Sequence, residues 1–590
     1  MTPLVAPFYF VGGFMINVKE NEELSILNHS CAHLLAQAVK HLYPQAKFWV
    51  GPVVEEGFYY DMDLGDQVIT DDDIEKIEKE MKKIVKDGKR IVRNEISRAE
   101  ALEMFKDDEY KIDLINNMED GAVISTYTQG DFTDLCRGPH VESVKELKNF
   151  KLLKHSGAYW KGDANNKMLQ RIYGICFKTS EELETHLNQI EEAKKRDHRI
   201  IGKQMQLFML SDYGPGLPFW LPNGFVLRRT LEDFWLKLHA DRGYITIDTP
   251  IFLNRELWET SGHWNHYKED MYTFDVEEGT YAIKPMNCPG AILVYNNSLH
   301  SYKELPLRYS ELGHVHRYEA SGALSGLFRV RGFTQDDAHI LLMESQIGEE
   351  VARILELYDY VYSIFGLNYA IELSTRPESF IGEVAVWDEA EKALEKACLA
   401  TGHSFKINPG DGAFYGPKLD FKLTDSLGRI WQCGTVQLDM QLPSRFNCTY
   451  VAEDGSKKTP VMIHRACFGS LERFIGILIE NYAGVFPLWL APRQICIIPV
   501  NGEIHSDYAK KVMSKLSNVG FKVEVDDRNE KLGYRMREAQ IAKIPVVLVV
   551  GDNEMNNNTV NVRRHGKEGQ ESLSIDDLIS LLTKEVDDKK

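Results

Sequence analysis

The segment HVHRYEASGALSGLFRVRGFTQDDAHI, His314–Ile340, gives the strongest indication of fold and chemistry in the chain. Two strand-like stretches flank a loop rich in glycine and serine, and Arg317, Glu319, Arg329 and Arg331 lie around that loop. A guanidinium group forms planar, bidentate hydrogen bonds with phosphate or carboxylate oxygens. The segment therefore predicts a strand–loop–strand unit that binds a phosphorylated ligand. A solvated charged hairpin would explain any one of these arginines, but it does not explain the ordered set.

Two further segments lie on either side of this one along the chain. The stretch GYITIDTPIF, residues 243–252, predicts a long strand that ends at Pro250, and alone it indicates no more than an ordinary strand end. The stretch HRACFGSLERFIGILIE, residues 464–480, predicts a strand, a glycine turn and an apolar helix with Arg473 early in the helix. A buried helix with one surface arginine is the alternative interpretation of this last stretch.

Taken in their order along the chain, the three segments resemble the signature motifs of class II aminoacyl-tRNA synthetases. The chain is similar to the threonyl-tRNA synthetase branch of that family. The resemblance covers nearly all of the chain from Asn17 onwards. It implies an α+β multidomain protein with a catalytic core on an antiparallel sheet, an α/β editing domain and a C-terminal α/β anticodon-binding domain. Counted along the chain, residues 243–252 are the first signature segment, residues 314–340 the second and residues 464–480 the third. The resemblance implies that the first signature segment builds a dimer interface.

The resemblance assigns five side chains to ATP. Arg317 is expected at the α-phosphate and the amino-acid carboxylate, and Arg329 at the γ-phosphate. Glu319 is expected at the adenine amine, Phe333 stacks on adenine, and Arg473 faces the nucleotide. Paired arginines suit this reaction because they hold ATP bent and stabilise the charge that develops at the α-phosphate.

Composition is consistent with a large enzyme of this kind. A chain of 590 residues is too long for one hydrophobic core, so three or four domains are expected, and 43% apolar residues are ample for globular folding. The net charge of -19 does not exclude nucleic-acid binding, which needs only a local basic surface. Nine scattered cysteines are typical of a reducing compartment, so a cytoplasmic protein is expected.

Changes in pattern along the chain predict five regions. Residues 1–19 begin with an apolar stretch that is shorter than the roughly 20 residues of a membrane span, so no membrane partner is expected. A charged segment that begins at Ser180, a capping-type residue, has the pattern of a solvated connecting helix. The regions are residues 1–19, 20–179, 180–205, 206–490 and 491–590. The resemblance implies that they are, in this order, a leader or domain remnant, an editing domain, a connecting helix, a catalytic domain and an anticodon-binding domain.

Local patterns predict elements inside these regions. LSILNHSCAHLLAQAVKHLY, residues 24–43, repeats Leu and Ala at helical spacing. Residues 206–489 alternate β-branched and aromatic runs with Gly and Pro, as the strands of a large mixed or antiparallel sheet would. ICIIPV, FKVEVDD and IPVVLVVG near the C-terminus predict short buried strands of a compact α/β module of about 100 residues.

Cys288, His339 and His464 are candidate metal ligands, although their spacing alone gives no zinc signal. A lone buried Cys or His is usually a packed core residue, and that is the alternative for each. The resemblance implies that the three residues hold one Zn²⁺ per subunit. Three protein ligands leave zinc an open position, as a metal that binds substrate requires.

The need for a metal follows from the substrates. Threonine and valine are nearly isosteric, so an apolar pocket rejects valine poorly, whereas ligation through the amino and hydroxyl groups rejects it well. The resemblance implies that Asp337 accepts the threonine hydroxyl proton and that Gln335, Tyr415 and Gln437 line the amino-acid pocket.

The implied reaction has two steps, in which L-threonine attacks the α-phosphate of Mg-ATP and the tRNA 3'-terminal ribose hydroxyl then attacks the threonyl-adenylate. Mg²⁺ is therefore expected with ATP. The enzyme mainly positions and neutralises its substrates. His263 and His266 are near enough in sequence to be considered as proton acceptors in the transfer step, and walls of the pocket are the alternative.

A second site is expected because serine carries the same hydroxyl as threonine and lacks only a methyl group, worth roughly 1–3 kcal/mol. His29 and His33 lie four apart on one helical face, and TDLCRGPH supplies Asp134, Cys136 and His140. By spacing alone, HxxxH with CxxxH is a plausible four-ligand metal site. Surface histidines and a buried cysteine would explain any single member.

Resemblance to the proofreading domains of the family indicates a different chemistry for these residues. It implies a metal-free site that positions a water and hydrolyses seryl-tRNA(Thr). Lys111 is included in that site, and Tyr60 is expected to support it.

The last hundred residues resemble the anticodon-binding domain shared by several class II synthetases, and tRNA(Thr) is the expected partner. The resemblance is carried by RNEKLGYRMREAQIAKIPVVLVVGDNEM, residues 528–555. Asn529, Arg537, Glu554 and Arg563 are candidates for contacts with exposed loop bases. A surface charge network is an equally good explanation of each residue taken singly.

The resemblance does not include one domain of the family, and two other classes of protein are alternatives. The sixteen-residue start of the chain is too short for the small ubiquitin-like domain with which many bacterial-type relatives begin. Another class II synthetase, of prolyl or seryl type, is disfavoured by the Cys and His set and by the editing region. A synthetase-like RNA-binding regulator without catalysis predicts damaged ATP-binding motifs, and the motifs are intact.

A homodimer is expected from class II architecture.

Overall fold

The computed structural model describes residues 17–119, 121–163 and 165–589. The expected leader, residues 1–19, lies outside the described residues as far as residue 16. Val18 is fully buried and its N–H donates to the carbonyl of Glu55 at 2.9 Å, so the folded part of the chain begins before Glu20. The chain divides into two compact units, residues 1–192 and residues 193–590.

The first unit is built around the helix expected from the Leu and Ala spacing. Asn21 caps this helix because its side chain accepts a hydrogen bond from the N–H of Leu24. The helices are α1 (Glu22–Leu42), α2 (Asp71–Asp87), α3 (Arg98–Met104), α4 (Glu109–Asn116) and α5 (Ser180–Arg196), the last of which runs past the division. The strands are β1 (Lys47–Phe48), β2 (Val53–Val54), β3 (Gly57–Asp63), β4 (Ile91–Ile96), β5 (Ile124–Gln129), β6 (Phe132–Leu135), β7 (Asn149–Tyr159) and β8 (Met168–Phe177).

These strands form two sheets. One has the order β1-β3-β8-β7 with β2 paired to β3, and the other has the order β4-β5-β6. Helix α1 packs on the first sheet, where Leu34 and Leu35 are buried in one cluster with Phe58 and Ile172. Each such leucine stabilises the fold by about 1.5–3 kcal/mol. This packing fixes the helix that carries His29 and His33.

The second unit contains a large central sheet. Its helices before the C-terminal module are α6 (His198–Gln204), α7 (Pro222–Ala240), α8 (Arg255–Ser261), α9 (His263–His266), α10 (Cys288–Asn296), α11 (Ile347–Phe365), α12 (Val384–Ala400), α13 (Leu442–Arg445) and α14 (Leu471–Asn481). Its strands are β9 (Phe208–Met209), β10 (Phe219–Trp220), β11 (Ile245–Thr246), β12 (Phe252–Asn254), β13 (Thr273–Val276), β14 (Gly279–Ile283), β15 (His300–Ser301), β16 (Leu307–His316), β17 (Gly332–Leu342), β18 (Asn368–Ser374), β19 (Phe405–Asn408), β20 (Lys418–Thr424), β21 (Ile430–Asp439), β22 (Tyr450–Val451), β23 (Lys457–Lys458) and β24 (Val461–Ala466).

Eight of these strands form the sheet β11-β16-β17-β24-β21-β20-β18-β19. Its interior pairs are antiparallel and its two outermost pairs are parallel, which confirms the expected large mixed sheet. His339 pairs with His464, and Gln437 pairs with His464 on the other side. Because side chains alternate along a strand, Gln335, Asp337 and His339 share one face of β17. The register thus gathers residues that are distant in sequence.

The first signature segment does not form the long strand that its sequence predicts. Only Ile245–Thr246 pairs with a neighbouring strand, and Pro250 lies outside any strand. The N–H of Thr249 donates to the carboxylate of Glu311 at 3.0 Å, and its carbonyl accepts from Lys284 Nζ at 3.1 Å. The ladder ends early because these side chains take the backbone groups that a strand partner would use.

The connecting segment is two helices rather than one. Helix α5 ends at Arg196 and α6 begins at His198, because Asp197 caps the second helix by accepting from the N–H of Arg199 at 2.8 Å. Ser180 is the first residue of α5 and not its cap. Thr179 fills that role, since its hydroxyl accepts from the N–H of Glu182 at 3.2 Å.

Of the three strands predicted near the C-terminus, β25 (Ile495–Pro499) and β27 (Val546–Val550) are buried as expected, whereas β26 (Val523–Val525) is only half-buried. They pair in parallel in the order β26-β25-β27, and two antiparallel strands that the sequence did not predict follow them. The last two are polar and half exposed, so they lack the apolar run that marks a buried strand. The strands are β25 (Ile495–Pro499), β26 (Val523–Val525), β27 (Val546–Val550), β28 (Thr559–Arg564) and β29 (Glu571–Ser574), and the helices are α15 (Ser506–Asn518), α16 (Leu532–Ile541), α17 (Asp552–Asn557) and α18 (Ile575–Asp587). Among the described residues, no helix is long and apolar enough to cross a bilayer.

Candidate functional site

A cleft of about 410 Å³ in the second unit is lined by residues of the central sheet and the loops around it. All twelve residues assigned to synthesis line this one cleft, although they come from five separate helices and strands and from the loops between them. They are Cys288, Arg317, Glu319, Arg329, Phe333, Gln335, Asp337, His339, Tyr415, Gln437, His464 and Arg473.

The three candidate metal ligands meet at one end of the cleft. Cys288 begins α10, His339 lies on β17 and His464 on β24, all three are buried, and their ligand atoms lie within 4.8 Å of one another. His464 Nε2 lies 2.9 Å from Asp439 Oδ2, which leaves its Nδ1 without a hydrogen-bond partner, and His339 Nε2 is likewise unpartnered. A histidine held by a carboxylate through one nitrogen is oriented to ligate a metal with the other.

The charge state of Cys288 suits a metal ligand. Burial alone raises the pKa of its thiol, but the positive charge of His464 and the neighbouring imidazole of His339 outweigh burial and lower the pKa to about 7. The thiolate is the ligand form of cysteine. One thiolate and two imidazoles are a donor set typical of zinc with an open fourth position.

The predicted amino-acid pocket adjoins these ligands. Asp337 is buried and accepts from Asn287 Nδ2 at 3.0 Å, and the same amide lies 3.4 Å from Gln335 Oε1. The hydroxyl of Tyr415 donates to Gln437 Oε1 at 2.8 Å. Asn287 is therefore a positioning group that the sequence argument missed, although it directly precedes Cys288.

The predicted ATP-binding arginines are held in place by backbone and carboxylate groups. Arg317 Nε donates to the carbonyl of Pro285 at 3.3 Å, and its guanidinium lies 5.2 Å from the ring centre of Phe333. Arg329 Nε lies 3.0 Å from the carboxylate of Glu319. Arg473 donates to the backbone carbonyls of Phe328 and Gln432 at 3.0 Å each, and its side chain lines the cleft.

Arg331 differs from the other arginines of the loop, because it does not line the cleft. Its Nε donates to the carbonyl of Glu319 at 2.9 Å and its Nη2 donates to Ser321 at 3.1 Å, so it braces the loop. Lys418 and Gln432 line the cleft and were not predicted. Both bind the buried carboxylate of Asp420, at 2.9 and 2.7 Å respectively, and no local motif marks them.

His263 and His266 were considered as proton acceptors, but neither lines the cleft. His263 is fully buried, with Nδ1 2.8 Å from Ser261 Oγ and Nε2 3.2 Å from Met286 Sδ. Burial, followed by the positive charge of neighbouring groups, lowers its pKa to about 3. His266 stacks on Phe414 with ring centres 4.9 Å apart. Each histidine contacts a residue that lines the cleft, Met286 or Phe414, but does not line it itself.

The first unit brings together all seven residues predicted for the second site. Cys136 Sγ lies 3.2 Å from His29 Nε2 and 3.2 Å from His140 Nε2. His140 Nδ1 lies 3.1 Å from Ser30 Oγ on the same face of α1. The imidazole of His33 packs against that of His140 with ring centres 4.3 Å apart.

Asp134 organises the polar half of this second cluster. Lys111 Nζ lies 2.6 Å from its carboxylate, the Tyr60 hydroxyl donates to it, and His33 Nε2 lies 3.8 Å away. Burial raises the pKa of Asp134, but the charges of Lys111 and His33 outweigh it and hold the pKa below its usual value. The carboxylate is therefore charged and faces a lysine, a tyrosine and a histidine.

The same cluster also meets the requirement of a four-ligand metal site. The ligand atoms of His29, His33, Cys136 and His140 lie within 4.8 Å of one another. Burial raises the pKa of the Cys136 thiol to about 11 and lowers the pKa of His33 to about 4. This environment favours neutral groups, in contrast to that of Cys288.

The four anticodon candidates lie on different elements of the C-terminal module. Asn529 follows β26 and Arg537 lies on α16, and both are exposed. Glu554 on α17 accepts from the N–H of Gly551 at 2.9 Å, and Arg563 on β28 donates to Gln570 at 2.7 Å. The sequence argument missed the neighbouring Arg535, which is buried and donates to the carbonyls of Glu530, Asp526 and Pro499.

Comparison with known families places matches in both units. Residues 272–482 match the tRNA synthetase class II core domain (G, H, P, S and T), and residues 494–585 match an anticodon binding domain. Residues 124–173 match the threonyl and alanyl tRNA synthetase second additional domain.

Individual relatives match over almost the whole length. The threonine–tRNA ligase of Clostridioides difficile (strain 630) is 53% identical over 579 residues, which are 98% of this chain and 90% of that protein. The threonine–tRNA ligase of Desulforamulus reducens is 53% identical over 577 residues, 98% of this chain and 91% of that protein. A crystal structure described as the RNA binding domain of threonyl-tRNA synthetase from Cryptosporidium parvum Iowa II is 42% identical, with a TM-score of 0.65, and covers 66% of this chain and 98% of that one.

Proposed function

The chain belongs to the threonine–tRNA ligase family and is a class II aminoacyl-tRNA synthetase, and we propose that the cleft of its second unit is the synthetic site and the cluster of its first unit the proofreading site. As a threonine–tRNA ligase it uses threonine, ATP and tRNA as substrates. The observation that carries the assignment of the synthetic site is that twelve residues, scattered over nearly two hundred positions, line one cleft.

Activation of threonine is assigned to the arginine-rich half of the cleft. Arg317 and Arg329 bind the α- and γ-phosphates, Arg473 faces the nucleotide, and Glu319 and Phe333 hold adenine. The hydrogen bonds of Arg317 and Arg473 to backbone carbonyls support these roles, because a donor that is already fixed costs no reorganisation when charge develops on phosphate. Mg²⁺ accompanies ATP. The second step then transfers the threonyl group to the 3' end of tRNA(Thr).

Selection of threonine is assigned to the other half of the cleft. Cys288, His339 and His464 would hold one Zn²⁺ per chain, and the metal, when bound, supplies a Lewis-acidic position for the amino and hydroxyl groups of the substrate. The unpartnered nitrogens of the two histidines and the lowered pKa of the thiol support this assignment. Asp337, fixed by Asn287, accepts the substrate hydroxyl proton in a hydrogen bond that valine cannot make. Gln335, Tyr415 and Gln437 complete the pocket.

Hydrolysis of seryl-tRNA(Thr) is assigned to the cluster in the first unit. His29, His33, Cys136 and His140 form one wall, and Lys111, Tyr60 and the charged Asp134 form the other. Fixed polar groups of this kind position a water and stabilise a developing oxyanion. Burial keeps the Cys136 thiol and the imidazole of His33 neutral, so these groups can form hydrogen bonds with a water.

We assign residues 20–179 to editing, 180–205 to the connecting segment, 206–490 to catalysis and 491–590 to the anticodon, and the three family matches lie inside the first, third and fourth of these ranges. Asn529, Arg537, Glu554 and Arg563 would contact the anticodon loop. All nine cysteines are free, which supports a cytoplasmic location.

A homodimer is proposed from an exposed aromatic surface next to the first signature segment. Phe252 on β12 is 54% exposed and packs against Phe274 and Tyr281 with ring centres 5.7 and 6.1 Å apart. Ile245 and Ile251 are each half exposed nearby in sequence. An exposed apolar surface of this kind is typical of a subunit interface.

Phe252→Glu is therefore expected to convert the dimer to a monomer, because it buries a charge in an apolar interface. Sedimentation velocity on the purified chain measures the change. Leu399→Glu, which replaces an exposed leucine on α12, is the matched control and should leave the dimer intact. A dimeric Phe252→Glu protein would contradict this interface.

ATP–pyrophosphate exchange with threonine, serine and valine, with zinc measured on the same sample, tests the whole proposal. Exchange with threonine, less with serine and little with valine, with about one zinc per chain, is expected. Silence from a folded, zinc-loaded sample would instead favour an RNA-binding regulator.

Arg317→Lys is expected to lower kcat of the exchange about ten- to hundredfold, because an ammonium group cannot make the bidentate bond to phosphate and carboxylate. Steady-state exchange kinetics measure it. Arg353→Lys, an exposed arginine paired with Glu349 on α11, is the control. Equal kinetics in the two variants would remove Arg317 from the α-phosphate.

A further inference from the structure

Outside the two sites, the described residues contain a third group of candidate ligands, the buried His198 and Glu480 and the half-buried Asp197. Both ring nitrogens of His198 are already engaged there. Nδ1 lies 2.6 Å from Glu480 Oε1, and Nε2 accepts a hydrogen bond from the N–H of Leu327 at 3.0 Å. Because neither nitrogen is free, the group is a hydrogen-bonded junction and not a metal site.

The charges of the junction fix which nitrogen of His198 carries the proton. Burial raises the pKa of Glu480, but hydrogen bonds from His198 and Arg429 outweigh it and hold the pKa below its usual value. A carboxylate only accepts, so Nδ1 donates to Glu480 and Nε2 is left to accept from Leu327. The same Glu480 oxygen also accepts from the N–H of His198 at 3.0 Å, which ties the start of α6 to the end of α14.

Leu327 belongs to the loop between the two strands of the second signature segment. The loop is a tight turn, in which the N–H of Ser325 donates to the carbonyl of Arg329 at 3.1 Å. The next residue, Phe328, packs against the ring of His198 with centres 4.2 Å apart, and its carbonyl accepts from Arg473 at 3.0 Å. His198 therefore supports the turn that carries Arg329 to the cleft.

Gly326 shows how closely the loop and the imidazole approach. Its φ is +49°, and a Cβ at this position would lie 2.1 Å from His198 Nε2. Only glycine meets both conditions, the left-handed backbone and the lack of space. The close contact between α6 and the loop therefore depends on Gly326 as well as on His198.

We propose that His198 is a positioning residue for nucleotide binding, which holds the Ser325–Arg329 turn against α14 so that Arg329 and Arg473 face ATP together. The proposal rests on the proposed function, since it takes the arginine half of the cleft as the ATP site. It adds a residue of the connecting segment that touches no substrate. It also makes α6 part of the support of the synthetic site.

His198→Ala is expected to raise KM for ATP in pyrophosphate exchange about tenfold, because it leaves the buried N–H of Leu327 without an acceptor. KM for threonine and the zinc content should stay unchanged, since no hydrogen bond among the described residues joins the turn to Cys288, His339 or His464. His403→Ala, which removes an imidazole bound to Thr401 away from the cleft, is the matched control. An unchanged KM for ATP, or an equal rise in KM for both substrates, would overturn the proposal.

Two variants that each keep one polar position of the imidazole distinguish loss of the Leu327 hydrogen bond from a simple loss of packing. The amide oxygen of His198→Gln can occupy the place of Nε2 and accept from Leu327, whereas His198→Asn replaces Nδ1 and reaches only Glu480. Glutamine should restore most of the ATP affinity and asparagine should not. Equal KM values for ATP in the two variants would show that the hydrogen bond from Leu327 does not contribute to ATP binding.

Gly326→Ala tests the same contact from the loop and does not depend on the folding of the His198 variants. It should raise KM for ATP in the parent chain, and its effect should be smaller when combined with His198→Ala, because the ring that the new methyl meets is gone. Additive effects would overturn the proposal. Failure of the proposed function itself is recognised separately, since the unaltered chain would then show no exchange.

Discussion

Cys288→Ser is expected to abolish zinc binding and threonine activation together. The thiol is buried beside two imidazoles, and their influence lowers its pKa to about 7, so a thiolate ligand is available at neutral pH. A serine hydroxyl ionises far less readily and leaves only two histidines to hold the metal. We expect zinc to fall from about one per chain to a trace, and kcat/KM for threonine in pyrophosphate exchange to fall at least about a hundredfold.

The control for this variant is Cys398→Ser, which makes the same replacement at a buried cysteine of α12 that does not line the cleft. It should retain zinc and activity. Metal analysis and exchange kinetics on the same samples distinguish the outcomes. Full threonine activation by a zinc-free Cys288→Ser protein would reject the role of the metal, and retained zinc with lost activity would place the ligands elsewhere.

The double variant His29→Ala with Cys136→Ala is expected to lose proofreading while threonylation stays intact. The two side chains contact each other at 3.2 Å in the same cluster as Asp134 and Lys111, so their removal takes away two of the polar groups that would fix a water. The rate of seryl-tRNA(Thr) hydrolysis should fall at least about a hundredfold. Serylated tRNA should then accumulate in reactions that contain serine, ATP and tRNA.

Cys31→Ala is the matched control, because it removes a buried cysteine from the same helix, and Cys31 contacts Cys176 and not the proofreading cluster. It should clear seryl-tRNA at the parental rate. If the double variant also clears seryl-tRNA, the second site is misassigned. Zinc analysis of the parent chain adds a further outcome, since a second zinc per chain that disappears in the double variant would make this cluster a metal site.

Elements with a strong local pattern were predictable from the sequence. Helix α1 repeats apolar residues at helical spacing, and the buried strands β25 and β27 are continuous apolar runs. The antiparallel strands β16 and β17 flank the loop rich in glycine and serine, as expected. The patterns gave wrong predictions where a side chain forms hydrogen bonds with backbone groups that a longer strand or helix would use. The first signature strand is short because Glu311 and Lys284 bind the backbone of Thr249, and the connecting segment breaks because Asp197 caps a new helix.

The sequence by itself determined which chemical groups the chain carries and, through the resemblance of its ordered motifs, the family to which it belongs. Only the tertiary structure decided which groups meet. Cys288, His339 and His464 come together because β17 pairs with β24 in one register and α10 begins beside them. Asn287, Lys418 and His198 acquire their positioning contacts in the same way. Such contacts depend on the pairing of strands and helices far apart in the chain, and local spacing contains no record of that pairing.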